Sequence, residues 1–550
     1  MTYTTSISGE IDPRTRRLLL PTRIIWCTEG DNAPRGAEVL LTSATSQATV
    51  AAGPRCVLPP GGAILLDFGQ ELHGGVQIVI GNTGNGGTVA VRLRFGESVS
   101  EAMGEPNQEH ALHDHTVRLP RWGAYEVGNT GYRFVRIDVL EACNIELIAV
   151  RAIELMRDLP YRGRFNCSDP QLNAIWQVAA RTVHLCMQDY LWDGIKRDRL
   201  VWVGDMHPES QVISHLFGAD PIVPRSLDYV RDETPPTGWM NGISSYTLWW
   251  VIIMHDWYRF HGDLGYLEEN RGYLRELLPH ICTQVDESGQ EALSEWRFLD
   301  WGSVGQTEAI HAGLHALLIL ALEAGGELCT VLQDAELAAQ CQQVVQHLRG
   351  YTPALLPENK QSASLLVLAG VVDPITANQT VLSRDPLCGI SPFYGYYILR
   401  ARAQAGDIDG CLTLLRRYWG GMLKAGATSF WEHFDVAWLA DAGRIDELPL
   451  AGKHDIHAEY GEHCYIGLRH SLCHGWAAGP VAWLSEYVLG IQPVAPGCRT
   501  VRITPNIGDL EYAEGAFPTP YGDIVVHHAR QADGTVASTV EAPPEVTIQY

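Results

Sequence analysis

Hydrophobic and polar positions divide the chain into three stretches of different period. From about Val57 to Leu155, runs such as AILLDFG, GGVQIVIG, TVAVRLRFGE, YRFVRIDVL and IELIAVRAIEL are rich in β-branched and aromatic residues. Turn-forming pieces such as NTGNGG part them, the pattern of an antiparallel β-sandwich. After Leu159-Pro160 the apolar residues recur at helical spacing, in QLNAIWQVAARTVHLCMQ, HALLILALEAGG, AELAAQCQQVVQHL and PFYGYYILRARAQAGD, which predicts long amphipathic helices. Past Gly490 short β-like runs return in TVRITPN, GDIVVHHA, TVASTVE and VTIQY. The expected fold is mainly α with flanking β domains: an N-terminal β-sandwich over 1–158, a helical domain over 159–490 and a small C-terminal β domain over 491–550.

The helices end in a recurring way. In LFGAD, RFHGD, EAGGE, LAGVVD and AQAGD a glycine is followed closely by an acid, so that Gly218, Gly262, Gly326, Gly370 and Gly406 are expected to close one helix while the acid caps the next. Helix pairs joined this way stack into an open solenoid or close into an α/α toroid, and the period alone favours neither.

Composition narrows the partners. With 64 acidic and 40 basic residues and a formal net charge of -24, the surface repels nucleic acid and anionic lipid, so a small or neutral partner is expected. The start, MTYTTSISGEIDPRTRRLLL, lacks the pattern of a secretion signal, and the apolar runs read as too short for a membrane span. Thirteen cysteines without a C-x-x-C fit reduced thiols and a cytoplasmic location. G-x-S-x-G, G-x-x-x-x-G-K-[ST] and H-E-x-x-H are absent from the sequence, which disfavours nucleotide and hydrolase-elbow chemistry. Histidines gather at His110, His113 and His115 and again at His454, His457, His463 and His470. Neither group is completed by cysteines or carboxylates at ligand spacing, so no metal or other cofactor is expected.

One charged stretch raises a chemical question. WDGIKRDRLVWVGDMHPES places Asp193, Asp198, Asp205 and Glu209 among Lys196, Arg197 and Arg199. A solvated helix face would explain the interleaved signs, with Asp198 and Asp205 seven residues apart on one side, but the Trp and Val residues between them argue for burial. Carboxylates beside indole rings suit a sugar, whose vicinal hydroxyls donate to acids and whose apolar face rests on an aromatic. A second acid in similar company is Glu432, in GATSFWEHFD. Two acids on opposite walls of a funnel can cleave a glycosidic bond, one protonating the leaving oxygen and one activating water.

These residues resemble the α-L-rhamnosidases of glycoside hydrolase family 78. That family's motif runs approximately D-C-P-Q-R-E-x-L-G-W-T-G-D, and D-G-I-K-R-D-R-L-V-W-V-G-D aligns with it without a gap from Asp193 to Asp205. ILLDFGQELHGGVQIVI, GRFNCSDPQLNAIWQVAARTVHLCMQD, GATSFWEHF, SLCHGWAAGPVAWL and RITPNIGDLEYAEGAFPTPYGDIVV are similar to further family segments, in the family's order. The resemblance implies an (α/α)6 barrel and hydrolysis with inversion, releasing terminal α-L-rhamnose; the acidic composition and the expected cytoplasmic location point to small rhamnosylated glycosides as the substrates. It also implies Asp205 as general acid, Glu432 as general base, and Asp193, Arg197 and Asp198 on the sugar hydroxyls, with His474 and the pair Asp300-Trp301 near the sugar. Trp249, Trp250 and Trp301 are the tryptophans expected to line the funnel, and Glu209 is the rival acid. A homodimer is compatible with this reading. Gly194-Ile195-Lys196 replaces Cys-Pro-Gln, Asp198 replaces Glu, and Val201 replaces Gly, so the subsite is expected to differ from the family's usual one.

Overall fold

The computed structural model describes residues 11–105 and 113–550; His110 lies outside them. They divide into two compact units. One runs to Gly96 and takes in His113–Pro160 and Met187–Asp189; the other holds Glu97–Leu112, Tyr161–Cys186 and Tyr190–Tyr550.

The first unit is antiparallel throughout. Its strands are β1 (Arg14–Leu19), β2 (Arg23–Cys27), β3 (Cys56–Leu58), β4 (Ala63–Thr83), β5 (Val89–Gly96), β6 (His113–Leu119), β7 (Gly123–Val139) and β8 (Ile145–Arg157). Their order is β1-β8-β4-β7-β5-β6, with β2 also on β4 and β3 on β8. The 21-residue β4 organises the sheet. Its first half pairs with β2; after a register shift between Asp67 and Leu72 its second half pairs with β8. Such a bulge lets one strand turn a corner and serve two neighbours. Alternate residues Ile64, Leu66, Phe68, Leu72, Val76, Ile78 and Ile80 enter one core with Val91, Leu93, Tyr132, Val135 and Ile137. The glycine-rich NTGNGG is the turn between β4 and β5, as its composition predicts.

The second unit opens with α1 (Val99–Met103) and β9 (Arg164–Cys167). It continues through α2 (Pro170–Cys186), α3 (Val203–Leu216), α4 (Ile222–Glu233), α5 (Ser244–His261), α6 (Leu264–Glu269), α7 (Arg271–Cys282) and α8 (Thr307–Val331). There follow α9 (Ala335–Leu348), α10 (Lys360–Leu368), α11 (Pro374–Ala377), α12 (Pro392–Gln404), α13 (Ile408–Lys424) and α14 (Pro480–Trp483). α3 packs on α5, α5 on α8, α8 on α10 and α10 on α12, while α12 and α3 both touch α14. The series of contacts thus returns to its start. α3 is buried along its whole length although it carries Asp205, His207, Glu209 and Gln211.

Gly218, Gly262, Gly370 and Gly406 hold positive φ at helix ends, as expected of junction glycines. Gly326 does not: α8 runs straight through it, and the turn comes at Gln333, followed by Asp334, which caps α9. Nor is α8 a short apolar run. It is long and apolar enough to cross a membrane, with mean hydropathy 1.5 over its best window, but 67% of that window is buried within the protein, as in a core helix.

Strands β10 (Ile491–Pro493), β11 (Thr500–Ile503), β12 (Tyr512–Thr519), β13 (Gly522–Arg530), β14 (Val536–Glu541) and β15 (Thr547–Gln549) end the chain. They form a three-stranded sheet, β10-β11-β15, and a four-stranded one, β14-β13-β12-β9. β9, which precedes the helices in sequence, therefore completes a C-terminal sheet.

Candidate active site

The stretch 193–202 is a loop rather than a helix, and α3 begins at Val203, so Asp198 and Asp205 do not share a helix face. Asp193 closes this loop: its N–H donates to the Leu200 carbonyl at 3.1 Å, and its Oδ1 accepts from the Leu200 N–H at 2.9 Å. Asp198 and Arg199 turn the chain with φ of 54° each. Two successive non-glycine residues in this region store backbone strain, which persists only when the surroundings hold it. Here the anchors are side chains. Lys196 Nζ donates to the carbonyls of Leu468 (3.0 Å) and His470 (2.7 Å), and Arg197 Nε to that of Arg469 (2.7 Å).

The loop, α3 and the segment 430–476 enclose a cavity of about 170 Å³ lined by Asp193, Arg197, Asp198, Asp205, Glu432 and His474. Sequence sites far apart in the chain thus converge. His474 stands between the two proposed catalytic acids, with Nε2 2.9 Å from Asp205 Oδ1 and Nδ1 3.9 Å from Glu432 Oε1. Tyr246 donates its hydroxyl to Asp205 Oδ2 at 3.4 Å. Glu432 is gripped by both carboxylate oxygens against the Arg197 guanidinium, and its Oε2 accepts from the Ser471 N–H at 3.2 Å. Arg197 also meets Asp198 Oδ2 at 3.1 Å. Close backbone approach is built in: a Cβ on Gly204 would collide with the Tyr246 ring.

The two acids are tuned in opposite directions. Burial pushes Asp205 above its ordinary range, more than its hydrogen bond with His474 pulls it down. Burial also pushes Glu432 upward, but the Arg197 charge, the His474 charge and hydrogen bonds from Arg197 and Ser471 together hold it below. His474 loses basicity to burial, yet Glu432, Asp205 and Asp193 push it up to about 9. Burial raises Asp193 well above the aspartate range.

Other expected residues fall differently. Glu209 is on α3 with Asp205, but it is buried under Gly475 outside the cavity lining; a Cβ on Gly475 would collide with Glu209 Oε1. Trp250 does not line the cavity. It is fully buried, donating to the Leu227 carbonyl at 3.2 Å and packing edge-on against Tyr273. The helical period of a helix buried on most sides does not say which face meets the site. Trp249 stacks on His207 and Tyr397 beside a different cavity. Asp300 is one step removed: it caps the turn at Trp301, accepting from the Trp301 N–H (2.8 Å), Ser391 Oγ (2.5 Å) and Gln361 Nε2 (3.3 Å), while Trp301 itself lines the cavity.

Several lining residues are not singled out by the sequence. Trp202, Tyr246, Trp296, Phe298 and Trp476 supply the apolar walls, and Trp296, 46% exposed, stands at the rim in edge contact with Trp301. The spacing of aromatics in SEWRFLDW, just ahead of Asp300-Trp301, was the available signal. Among the described residues Glu97, Glu101 and His457 come close enough to share a metal ion. A cation of the chain's own is already there, since Lys196 Nζ lies 3.0 Å from Glu97 Oε2 and 3.3 Å from Glu101 Oε1.

The chain is similar to known proteins over most of its length. The bacterial alpha-L-rhamnosidase 6 hairpin glycosidase domain matches residues 160–341, and the bacterial alpha-L-rhamnosidase C-terminal domain matches 490–549. An alpha-L-rhamnosidase of Alteromonas sp. (strain LOR) is 36% identical over 543 residues, covering 88% of this chain. The chain spans 55% of that relative's length. The fold is shared with a GH78 family rhamnosidase of Bacillus sp. GL1 (TM-score 0.75, 22% identity, 93% of this chain and 55% of that one). It is shared also with a Klebsiella oxytoca rhamnosidase with rhamnose bound (TM-score 0.67, 22% identity, 86% of this chain and 96% of that one). The chain thus carries, at 160–341 and 490–549, two regions that match domains of bacterial α-L-rhamnosidases, and it is similar to a curated alpha-L-rhamnosidase over most of its own length.

Proposed function

We propose that this chain is an inverting α-L-rhamnosidase that releases terminal rhamnose from small rhamnosides. The observation that carries the reading is the pair of buried carboxylates, Asp205 and Glu432, in one cavity on opposite nitrogens of His474. Asp205, kept protonated by burial, donates its proton to the glycosidic oxygen as the bond to the anomeric carbon breaks. Glu432, kept ionised by Arg197, takes a proton from a water that attacks the opposite face of the sugar. An imidazole between the carboxylates supports the wider spacing of about 6.5–9.5 Å that leaves room for this water, over the roughly 5 Å of a nucleophile pair.

Asp193 and Asp198 accept bonds from the sugar hydroxyls, and Trp202 and Trp301 cover its apolar side. Arg197 acts chiefly on Glu432, which engages its guanidinium. Asp205 is the acid in preference to Glu209 because it alone of the two lines the cavity. The returning series α3, α5, α8, α10, α12 and α14 supports an (α/α)6 barrel around the site. Thirteen free cysteines support a reducing, cytoplasmic setting. A panel of aryl glycosides tests the activity: cleavage of the α-L-rhamnoside alone is expected, and cleavage of a different deoxy- or uronic glycoside in its place would overturn it.

A further inference from the structure

Lys196, Glu97 and Glu101 form a buried ionic group beside the cavity but outside its lining. All three side chains are fully buried. Burying three charges is costly, and replacing such a group by apolar residues is often neutral or stabilising, so stability alone is weak grounds for its presence. Its connections point elsewhere. Glu97 Oε2 accepts from the Leu472 N–H at 2.6 Å, and Lys196 donates to the carbonyls of Leu468 and His470. His457 Nε2 donates to that same His470 carbonyl at 2.9 Å, while its Nδ1 bonds Ser98 Oγ at 2.7 Å. The stretch 468–472 is therefore held from one side by this group. On its other side it holds the base: Ser471 N–H donates to Glu432 Oε2, and Glu432 N–H donates to the Ser471 carbonyl at 3.0 Å.

We propose that Lys196, with Glu97 and Glu101 as its counter-charges, is a positioning residue for Glu432, fixing 468–472 so that the Ser471 N–H meets the base. The same loop delivers Arg197 from the neighbouring position, so one segment sets both the guanidinium and the amide that face Glu432; His474, bonded to Asp205, also faces it, and Asp205, Glu97, His433, Cys464 and Tyr465 are close enough to act on it electrostatically. Glu97 and Glu101 reach this group from α1. Ser98 caps that helix by accepting from the Glu101 N–H at 3.1 Å, while Glu101 Oε2 accepts from the Glu97 N–H at 2.8 Å. The S-x-x-E cap thus also orients the glutamates.

The inference rests on the proposed reaction for its kinetic consequence and on geometry alone for the rest, and the experiment separates them. Lys196→Met alone leaves two buried carboxyls without their cation and can fail to fold, so the variant measured is Lys196→Met/Glu97→Gln/Glu101→Gln. This triple change removes every charge of the group, while the side-chain amide introduced at position 97 still offers the Leu472 N–H an acceptor. On an aryl α-L-rhamnoside, kcat should fall by up to about 10²-fold, the loss that a misplacement of roughly 1 Å produces, with KM changed less than about threefold. The acid limb of the kcat/KM profile should move to higher pH as Glu432 loses the Ser471 bond. Amide exchange at Ser471, read with no substrate, should quicken in the variant. A variant with unchanged kcat, acid limb and Ser471 exchange, whatever its Tm, would overturn the proposal. If the unmodified protein does not cleave the rhamnoside, the reaction is wrong, and unchanged Ser471 exchange would then sink the positioning claim separately.

Discussion

Helix α3 and the segment 430–476 each contribute one of the two acids that the proposed reaction uses, and their surroundings treat them differently. On the α3 side Asp205 sits with Asp193 and Glu209, three buried carboxyls whose shifts are all upward and have burial as their largest cause. On the other side Glu432 is equally enclosed, yet the Arg197 and His474 charges, with hydrogen bonds from Arg197 and Ser471, outweigh burial and hold it below the ordinary glutamate range. The same burial thus favours a neutral carboxyl in one region and an ionised one in the other, the pairing the proposed reaction needs, because only one of them is given a permanent cation. His474 joins the two, with Nε2 2.9 Å from Asp205 Oδ1 and Nδ1 3.9 Å from Glu432 Oε1.

Removing either acid should erase the contrast and have the largest effect. Asp205→Asn and Glu432→Gln are each expected to lower kcat by about 10²–10⁴-fold with unchanged circular dichroism; near-normal turnover by either variant would dismiss its assigned role. Next in size is Arg197→Met, which strips Glu432 of its cation. Breaking a buried pair from one side costs about 3–5 kcal/mol, read as a lowered denaturation midpoint. Its sharper signature is in pH. In the proposed reaction Glu432 must be ionised, and its pKa is depressed, so activity in the unmodified protein is expected to be lost only as pH falls below the ordinary glutamate range. Without Arg197 that limb moves upward, toward neutral pH, and a stationary limb would show that Arg197 does not set the charge of the base. On the basic side activity should fall above the ordinary aspartate range, as Asp205 ionises.

Smaller effects test the edges of the comparison. Trp296→Ala removes an exposed ring at the rim and should raise KM for aryl rhamnosides several-fold, in keeping with the roughly 0.5–1.5 kcal/mol of an aromatic contact, while leaving kcat within about twofold. Glu209→Gln should do least. Its carboxyl is buried, pushed well above the glutamate range and held under Gly475, so the isosteric amide replaces a neutral acid and turnover should stay within about threefold. A collapse of kcat in that variant would revive Glu209 as the donor.

Much of this contrast was legible in the chain because the acid half is local. Asp193, Arg197, Asp198 and Asp205 lie within one short stretch, and a motif records such spacing directly. Glu432 was found through its own aromatic surroundings, and the sequence order of sheets and helices followed from their periods. What escaped notice is non-local. Nothing in GLRH announces that Lys196 would reach the Leu468 and His470 carbonyls, and Glu97 closes the strand-like run TVAVRLRFGE while Glu101 falls outside the runs, although Ser98-Val99-Ser100-Glu101 carries a capping signature. Trp250 was misplaced because α5 is apolar on most of its surface, and Gly326 because a glycine inside a long, well-packed helix looks from sequence like the end of one.

The division of labour between Asp205 and Glu432 has one direct readout, the anomer first formed. Proton NMR recorded during hydrolysis of a defined α-L-rhamnoside should show β-L-rhamnose appearing first and then mutarotating, as attack by a Glu432-activated water on the face opposite the leaving group requires. Initial release of α-L-rhamnose would mean retention, with a covalent intermediate in place of the acid and base assigned to these two residues.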